Sequence, residues 1–188
     1  MRCFVAVDIS DEIKKSVVKL GHSIAAKADV SASAAKWVKP EAMHITLKFL
    51  GHIDDIASVN VCEAVREAAT GHEAFSLAIE RCGSFGPSSP RVLWVGTGQG
   101  SEQLGRLQQD VETNLERIGF KPEKRRFTGH LTLCRIKNFK AGRRIAAAAA
   151  QYADIELGVA DIDRVTVYES RLSPAGATYL KVGQFELK

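Results

Sequence analysis

The sequence of 188 residues contains no long apolar run and no closely spaced pair of cysteines. No stretch approaches the roughly 20 consecutive apolar residues that a membrane-spanning helix needs. Residues 1–8 become charged too early to form a secretory signal peptide. We therefore expect a cytoplasmic protein that is not embedded in a membrane. The four cysteines, Cys3, Cys62, Cys82 and Cys134, show no Cys-x-x-Cys spacing, which argues against a zinc knuckle and favours reduced, buried thiols.

A strong excess of charge of either sign is also missing. The chain has 26 Lys and Arg against 22 Asp and Glu, a formal net charge of +4. This mild excess suits an anionic ligand such as a nucleotide or an RNA end, but it indicates a function only where the positive groups cluster. The length and the 45% apolar content fit one domain, or one body with two lobes, that buries a substantial core.

A strand pattern surrounds one histidine, and the pattern returns in the second half of the chain. From His44 onward, apolar residues alternate with residues that hydrogen-bond or carry charge, which is typical of a half-buried strand. Side chains on a strand alternate between faces, so His44, Thr46 and Lys48 are expected on the face away from the core. His130 and Thr132 stand in the same relation. One His-x-Thr motif is a weak signal, whereas two copies in matching strand patterns are much stronger.

Helical and strand periodicities divide the chain into two similar halves. Helices are predicted at 10–27, 54–70, 101–118 and 143–150, and strands at 2–7, 36–40, 43–51, 75–79, 91–96, 162–168 and 177–187, with turns at 83–90 and 173–176. The second helix is expected to bury a stripe of Ile56, Val59, Val61, Cys62 and Val65. Gly96 follows His44 by 52 residues and Gly183 follows His130 by 53, each at a strand end. This spacing predicts an internal duplication in which the two histidines face each other across a groove.

The two motifs resemble those of a known superfamily. His44-Ile45-Thr46-Leu47 and His130-Leu131-Thr132-Leu133 are similar to the paired motifs of the two-histidine phosphoesterases. The surrounding residues resemble the RNA 2′,3′-cyclic phosphodiesterase branch, long labelled 2′-5′ RNA ligase. They are Trp37, Pro40, Lys48, Phe49, Leu50 and Gly51 around the first motif and Arg126, Phe127 and Arg135 around the second.

The resemblance extends from residues 4–8 to the last strand pair, essentially the whole chain. It implies an α+β fold over residues 1–188: a single, bilobal, pseudo-symmetric domain with two antiparallel sheets lining a central cleft and helices packed outside. The chain departs from the branch at Gly129, where proline is usual. Because glycine admits backbone angles that proline cannot adopt, a looser start to the second motif strand is expected.

Two histidines suit the opening of a 2′,3′-cyclic phosphate, which needs a base to take a proton from water and an acid to protonate the departing ribose oxygen. Near neutral pH, one imidazole can be neutral while the other is protonated. By resemblance, His44 is the proton donor to the 3′-oxygen and His130 the proton acceptor, giving a 2′-phosphomonoester without a metal or cofactor. The hydroxyls of Thr46 and Thr132 can donate to the non-bridging phosphate oxygens.

Four further residues are candidates for substrate binding. Lys48 shares the predicted face of His44. Arg135 has the opposite strand parity to His130, yet the resemblance implies an arginine near the ligand. Phe4 resembles a family aromatic that stacks on the terminal base, and Arg126 ends a basic run, 121–126, that could guide RNA phosphates. The implied partners are nucleotides or RNA ends with a 2′,3′-cyclic phosphate, with tRNA as one candidate, and no obligate protein partner is inferred.

Three alternatives remain at this level. The same site could join tRNA halves through a 2′-5′ bond, with a ribose hydroxyl replacing water. A nucleotide-binding or RNA-binding module without turnover is the non-enzymatic alternative, although its expected signature, the loss of both histidines, is missing. Zinc held by His44, His130 and Cys134 carries little weight, because the chain lacks tight metal-ligand spacing.

Overall fold

The computed structural model describes residues 1–31, 33–86, 90–173 and 176–188, and within them the fold is of the expected α+β class. The helices are α1 (Asp11–Ala28), α2 (Asp55–Thr70), α3 (Ser101–Arg117) and α4 (Phe139–Ala149). The strands are β1 (Arg2–Val7), β2 (Ala35–Trp37), β3 (Ile45–His52), β4 (Phe75–Phe85), β5 (Val92–Thr97), β6 (His130–Ile136), β7 (Glu156–Ile162), β8 (Arg164–Ser173) and β9 (Gly176–Glu186). The predicted turns at 83–90 and 173–176 include positions 87–89 and 174–175, which lie outside the described residues.

All strand pairs are antiparallel, and eight strands follow the order β7-β4-β5-β6-β3-β1-β8-β9, with β2 attached to β6. The two sheets expected from the resemblance are therefore two halves of one continuous sheet. They join where Ile45 of β3 pairs with Leu131 of β6, and this is the sole residue pair between those two strands. Because the strands overlap only at their first residues, they diverge beyond this pair, and β2 takes the place beside the far end of β6.

Each motif strand is flanked by strands from both halves of the sequence. The first motif strand, β3, lies beside β1 and then β8 and β9, whereas the second, β6, lies beside β5 and then β4 and β7. The predicted equivalence of Gly96 and Gly183 is therefore wrong. Gly96 pairs with His130 next to the second motif, whereas Gly183 lies on the outermost strand of the other half.

Apolar stripes pack the helices against the core, α1 with α4 and α2 with α3. For α3 the helical spacing predicts a stripe of Leu104, Leu107, Val111, Leu115 and Ile118; the first four are fully buried, whereas Ile118 follows the helix end and is 41% exposed. The stripe predicted for α2 is partly wrong. Ile56 and Val59 are 77% and 61% exposed, since α2 instead turns small side chains inward. They are Ser58, Ala64, Ala68 and Ala69, beside Val61 and Val65.

Capping residues explain where the helices begin. The side chains of Ser10, Asp54 and Asn138 accept hydrogen bonds from backbone N–H groups three residues later. The Asn138 cap starts α4 at Phe139, four residues before its predicted start. Strand β7 was not predicted because only two of its seven residues are buried, so its apolar alternation is weak. Within the described ranges, none of the helices combines the length and the hydropathy that spanning a bilayer requires.

Candidate active site

The first motif strand contains a β-bulge that reverses its side-chain alternation. Thr46 pairs with a residue of β1 and Lys48 with the adjacent one, so Leu47 is an extra residue on β3. An extra residue moves every later side chain to the opposite face. Lys48 is consequently buried at 8% exposure, and its amine is paired with the Glu112 carboxylate of α3. The prediction that Lys48 shares the face of His44 and binds substrate is therefore wrong.

The second motif strand has a bulge at the equivalent position. Leu133 is the extra residue between Thr132 and Cys134. Cys134 is fully buried as a result, so its thiol lies on the opposite face from His130, which contradicts the proposed zinc site. The same reversal returns the exposed Arg135 to the His130 face. The parity argument against Arg135 fails for this reason.

The pairing of Ile45 with Leu131 brings the two motifs together. Both residues are fully buried, so the polar motif side chains occupy the other face of the sheet. The pair sets the start of one motif strand beside the start of the other, so His44 and Thr46 of the first motif and His130 and Thr132 of the second lie around the same point of the sheet.

Aromatic rings enclose His44. Its ring centroid lies 4.6 Å from that of Phe4 in a stacked arrangement and 5.2 Å from that of Tyr179. Tyr168 stacks on Phe4 at 5.3 Å. Phe4 is only 3% exposed, so its ring supports His44 and has no open face for a nucleobase. The prediction that Phe4 stacks on the terminal base is therefore wrong for this structure.

Burial in this cluster lowers the pKa of His44 to about 4, because the interior disfavours the imidazolium. The negative charge of Asp8 and a hydrogen bond to the Ala42 backbone raise the pKa and oppose this effect. The Tyr168 hydroxyl donates to both Asp8 carboxylate oxygens, at 2.7 and 2.8 Å. Burial and Asp8 together raise the pKa of Tyr168, so that this hydroxyl remains a proton donor to Asp8.

His130 is oriented by its own backbone. Its Nδ1 lies 2.9 Å from the Thr128 carbonyl oxygen, which can only accept a hydrogen bond, so Nδ1 carries the proton of the neutral ring. Nε2 is then the nitrogen that can accept a proton. The Phe85 ring meets the His130 ring edge-on at 5.0 Å and packs against Trp94 at 5.4 Å. His130 therefore has an aromatic neighbour of its own on the other side of the site.

The residue before His130 is tightly packed. A Cβ at Gly129 would lie 2.6 Å from Cδ2 of Leu104 and 3.1 Å from Oγ1 of Thr97. The Thr97 hydroxyl lies 3.5 Å from the Gly129 carbonyl oxygen and accepts a hydrogen bond from Ser101 at 2.7 Å. The looser strand start expected from glycine is therefore wrong, because Gly129 permits close contact with the first turn of α3.

Exposed basic residues precede and follow His130 in the sequence. Arg135 pairs with the exposed Lys36 across β2 and β6, so the two cations share one face. Before His130, Arg126 is exposed at the end of the basic run. Across the described ranges, no group of three or more His, Cys, Asp or Glu side chains could hold a metal ion.

Sequence reasoning missed several neighbours of the histidines. Asp8, Tyr168 and Tyr179 surround the first motif, and Phe85 and Trp94 lie beside the second. The only local signal was the placement of aromatic residues in predicted strands. Which strand lies beside which motif depends on pairings between residues up to about 160 positions apart, such as Asp8 with Tyr168.

Residues 18–173 match the 2′-5′ RNA ligase superfamily. The chain belongs to this superfamily, as its paired motifs indicate. It is 32% identical over 187 residues to the RNA 2′,3′-cyclic phosphodiesterase of Archaeoglobus fulgidus, covering 99% of this chain and 100% of that one. It is 30% identical over 188 residues to the RNA 2′,3′-cyclic phosphodiesterase of Methanothermobacter thermautotrophicus, covering 100% and 99%.

Solved structures share the fold. The crystal structure of TT0787 of Thermus thermophilus matches with a TM-score of 0.80 and 21% identity, covering 100% of this chain and 98% of that one. Escherichia coli LigT complexed with 3′-AMP matches with a TM-score of 0.77 and 22% identity, covering 99% and 97%. These proteins thus have the same overall fold as this chain.

Proposed function

We propose that this protein is an RNA 2′,3′-cyclic phosphodiesterase that opens 2′,3′-cyclic phosphate ends to 2′-phosphomonoesters. The antiparallel pair of Ile45 and Leu131 carries the proposal, because it brings two His-x-Thr motifs onto one face of the sheet. The relatives named RNA 2′,3′-cyclic phosphodiesterase support it over nearly the full length of the chain. The predicted cytoplasmic location and the division into two duplicated lobes remain predictions.

The proposed reaction is an in-line displacement at phosphorus. The unprotonated Nε2 of His130 takes a proton from a water molecule as its oxygen bonds to phosphorus, and the bond from phosphorus to the 3′-oxygen breaks. His44 donates a proton to that departing oxygen, so the phosphate stays on the 2′-oxygen. Thr46 and Thr132 donate hydrogen bonds to the non-bridging oxygens, on which negative charge increases in the transition state.

His44 must be protonated to act as the acid, and the negative charge of the bound substrate favours this protonation. With a pKa of about 4, His44 is neutral in the free enzyme near pH 7. A phosphodiester charge about 4 Å away contributes roughly 4 kcal/mol at an effective dielectric constant of about 20. That energy corresponds to about three pKa units. The bound anion would therefore raise the pKa of His44 toward neutral pH, where general-acid catalysis is efficient.

Positive groups around the site fit a polyanionic substrate. We assign Arg135 to the phosphate or terminal nucleotide, because the bulge in β6 places it on the His130 face. Arg126 and the rest of the basic run are assigned to the RNA upstream of the cyclic end. Lys48 has no role in contacting substrate, since its amine is engaged by Glu112.

The test is turnover of an oligonucleotide ending in a 2′,3′-cyclic phosphate by His44→Ala, His130→Ala and the double variant. Each single substitution should lower kcat by about 10²–10⁴, and the double variant should be hardly worse, because the two groups act as a unit. EDTA should leave the wild-type rate unchanged, since both proton transfers use imidazoles. Full activity in either single variant would remove that histidine from the chemistry. Adding a 5′-hydroxyl oligonucleotide to the same assay would reveal 2′-5′ ligation as a longer product.

A further inference from the structure

The strongest polar cluster outside the site lies beneath the first motif strand. The Lys48 amine is paired with the Glu112 carboxylate and donates to the Lys121 carbonyl oxygen at 2.6 Å. Glu112 also accepts from the Glu123 backbone N–H at 2.6 Å and from the Gln108 side-chain amide at 3.3 Å. Lys48 and Glu112 are both almost fully buried. One buried ion pair thus holds the backbone of the segment 121–123 at two points.

A comparison of the two motif strands shows that β3 does not need a charged residue at Lys48 in order to form its bulge. Lys48 and Cys134 follow the extra residue of their bulges in the same register, and both point into the core. An uncharged thiol therefore meets the structural requirement in the second motif. Buried ion pairs are also weak evidence for stability, since apolar residues of similar volume often replace them without loss. Lys48 differs from Cys134 because the ion pair of Lys48 with Glu112 is hydrogen-bonded to the backbone of the segment 121–123.

That segment, 121–126, is the basic run that connects α3 to the second motif. The side chains of Lys121, Lys124, Arg125 and Arg126 are exposed, and none of them forms an ion pair with another described residue. With Glu123 as its one acid, the segment has four positive charges against one negative, and this excess of like charge favours an extended, variable backbone. The hydrogen bonds of the two buried side chains to the backbone oppose this tendency.

The segment also leads directly to the catalytic face. It ends four residues before His130, whose Nδ1 is held by the carbonyl of Thr128. Phosphates of an RNA strand that approaches His130 from this side would meet the four cations. A cyclic mononucleotide has no such upstream phosphates, so it cannot use them.

We propose that Lys48 and Glu112 are positioning residues that hold the segment 121–126 in place beside His130, so that it binds the upstream phosphates of RNA and favours RNA ends over cyclic mononucleotides. The inference rests on the proposed function for its choice of substrate. It gives the buried ion pair a role in recognition that does not involve contact with the reacting phosphate.

The test compares wild type with the double variant Lys48→Met/Glu112→Leu, which removes the pair and leaves no buried charge without a partner. KM for a 12-nucleotide RNA with a 2′,3′-cyclic end should rise by about fivefold or more, and its dependence on salt should weaken. Turnover of a 2′,3′-cyclic mononucleotide should stay within about twofold. In native protein, trypsin should cleave after Lys124, Arg125 and Arg126 at least about fivefold faster, with an unchanged urea midpoint.

The control is Glu102→Gln/Arg106→Met, which removes an exposed ion pair from the same helix and should leave all these readouts unchanged. An unchanged KM for RNA or unchanged tryptic cleavage in the double variant would overturn the positioning role. If wild type hydrolyses neither substrate, the proposed function fails. Tryptic cleavage of the native protein and the affinity for a labelled 12-nucleotide RNA then test the positioning role. The double variant should lower that affinity by about fivefold.

Discussion

His44 lies in an environment that opposes the charge its proposed role needs. Its ring stacks on Phe4, and the surrounding burial lowers its pKa to about 4. Asp8 lies near enough to raise the pKa and is itself hydrogen-bonded by Tyr168. An acid that charges only when an anion binds would stay neutral in the empty site. At the scale of the residue, the aromatic cluster would therefore, in the proposed mechanism, make the protonation of His44 depend on bound substrate.

This environment predicts how stability depends on pH. Between its unfolded pKa of 6.5 and its folded pKa of about 4, His44 binds a proton in the unfolded chain but not in the folded one. The free energy of unfolding should therefore fall as the pH drops through this window, by roughly 3 kcal/mol between about pH 7 and pH 4. His44→Phe should remove this contribution, which urea titrations at several pH values would measure. His22→Gln, at an exposed position of α1, should keep the wild-type dependence. Equal losses in wild type and His44→Phe would contradict the prediction.

At the scale of the element, the paired bulges decide which side chains reach the site. Simple alternation would place Lys48 on the catalytic face and Arg135 on the core face. The extra residues Leu47 and Leu133 invert both assignments. The motif strands could thus be identified from sequence, but the faces of their second halves could not. A bulge is a mismatch in register with a neighbouring strand, and one strand alone does not reveal it.

Substitution of Arg135 tests whether the bulge in β6 brings this side chain into contact with substrate. Arg135→Gln should raise KM for a 2′,3′-cyclic nucleotide by about tenfold or more, because a hydrogen bond to a charged group contributes about 1.5–3 kcal/mol. The matched control is Arg91→Gln, at an exposed arginine just before β5. Steady-state kinetics of the two variants would decide the matter. An equal effect of the two substitutions would indicate a general loss of positive charge instead of a contact.

Two glycines near the start of α3 should respond to alanine in opposite directions. A Cβ at Gly129 would lie 2.6 Å from Leu104, so Gly129→Ala should cost about 1–3 kcal/mol of stability. A Cβ at Gly105 meets nothing within 4 Å, and Gly105→Ala should add up to about 1 kcal/mol through helix propensity. Urea unfolding of both variants provides the measurement. A neutral Gly129→Ala would show that Leu104 can move away at little cost.

At the scale of the whole molecule, the two halves of the sheet are interleaved in sequence. The half that carries His44 consists of β3 and β1 together with β8 and β9 from the end of the chain. The half that carries His130 takes β4 and β5 from the first half of the chain. Neither half of the sequence therefore contains a complete half of the sheet, although the two motifs repeat along it.

Fragments 1–98 and 99–188 should not fold separately. In the first, β1 loses its pairing with β8, and β5 loses its pairing with β6, which exposes apolar faces and unpaired backbone. Circular dichroism of each fragment should show no cooperative thermal transition, and neither should turn over substrate. Mixing the fragments should restore part of the ordered signal. A cooperative transition in 1–98 alone would show that the duplicated segments are independent lobes.

The sequence alone determined the helices, most of the strands and the class of chemistry, and it predicted the four motif residues. These depend on local periodicity, caps and short motifs, which are complete within a few residues. Only the tertiary structure decided that the motif strands meet at Ile45 and Leu131, that Lys48 faces Glu112, and that aromatic rings enclose His44. Strand register and burial are set by partners distant in sequence, and they control the faces, the pKa values and the contacts on which the proposed chemistry depends.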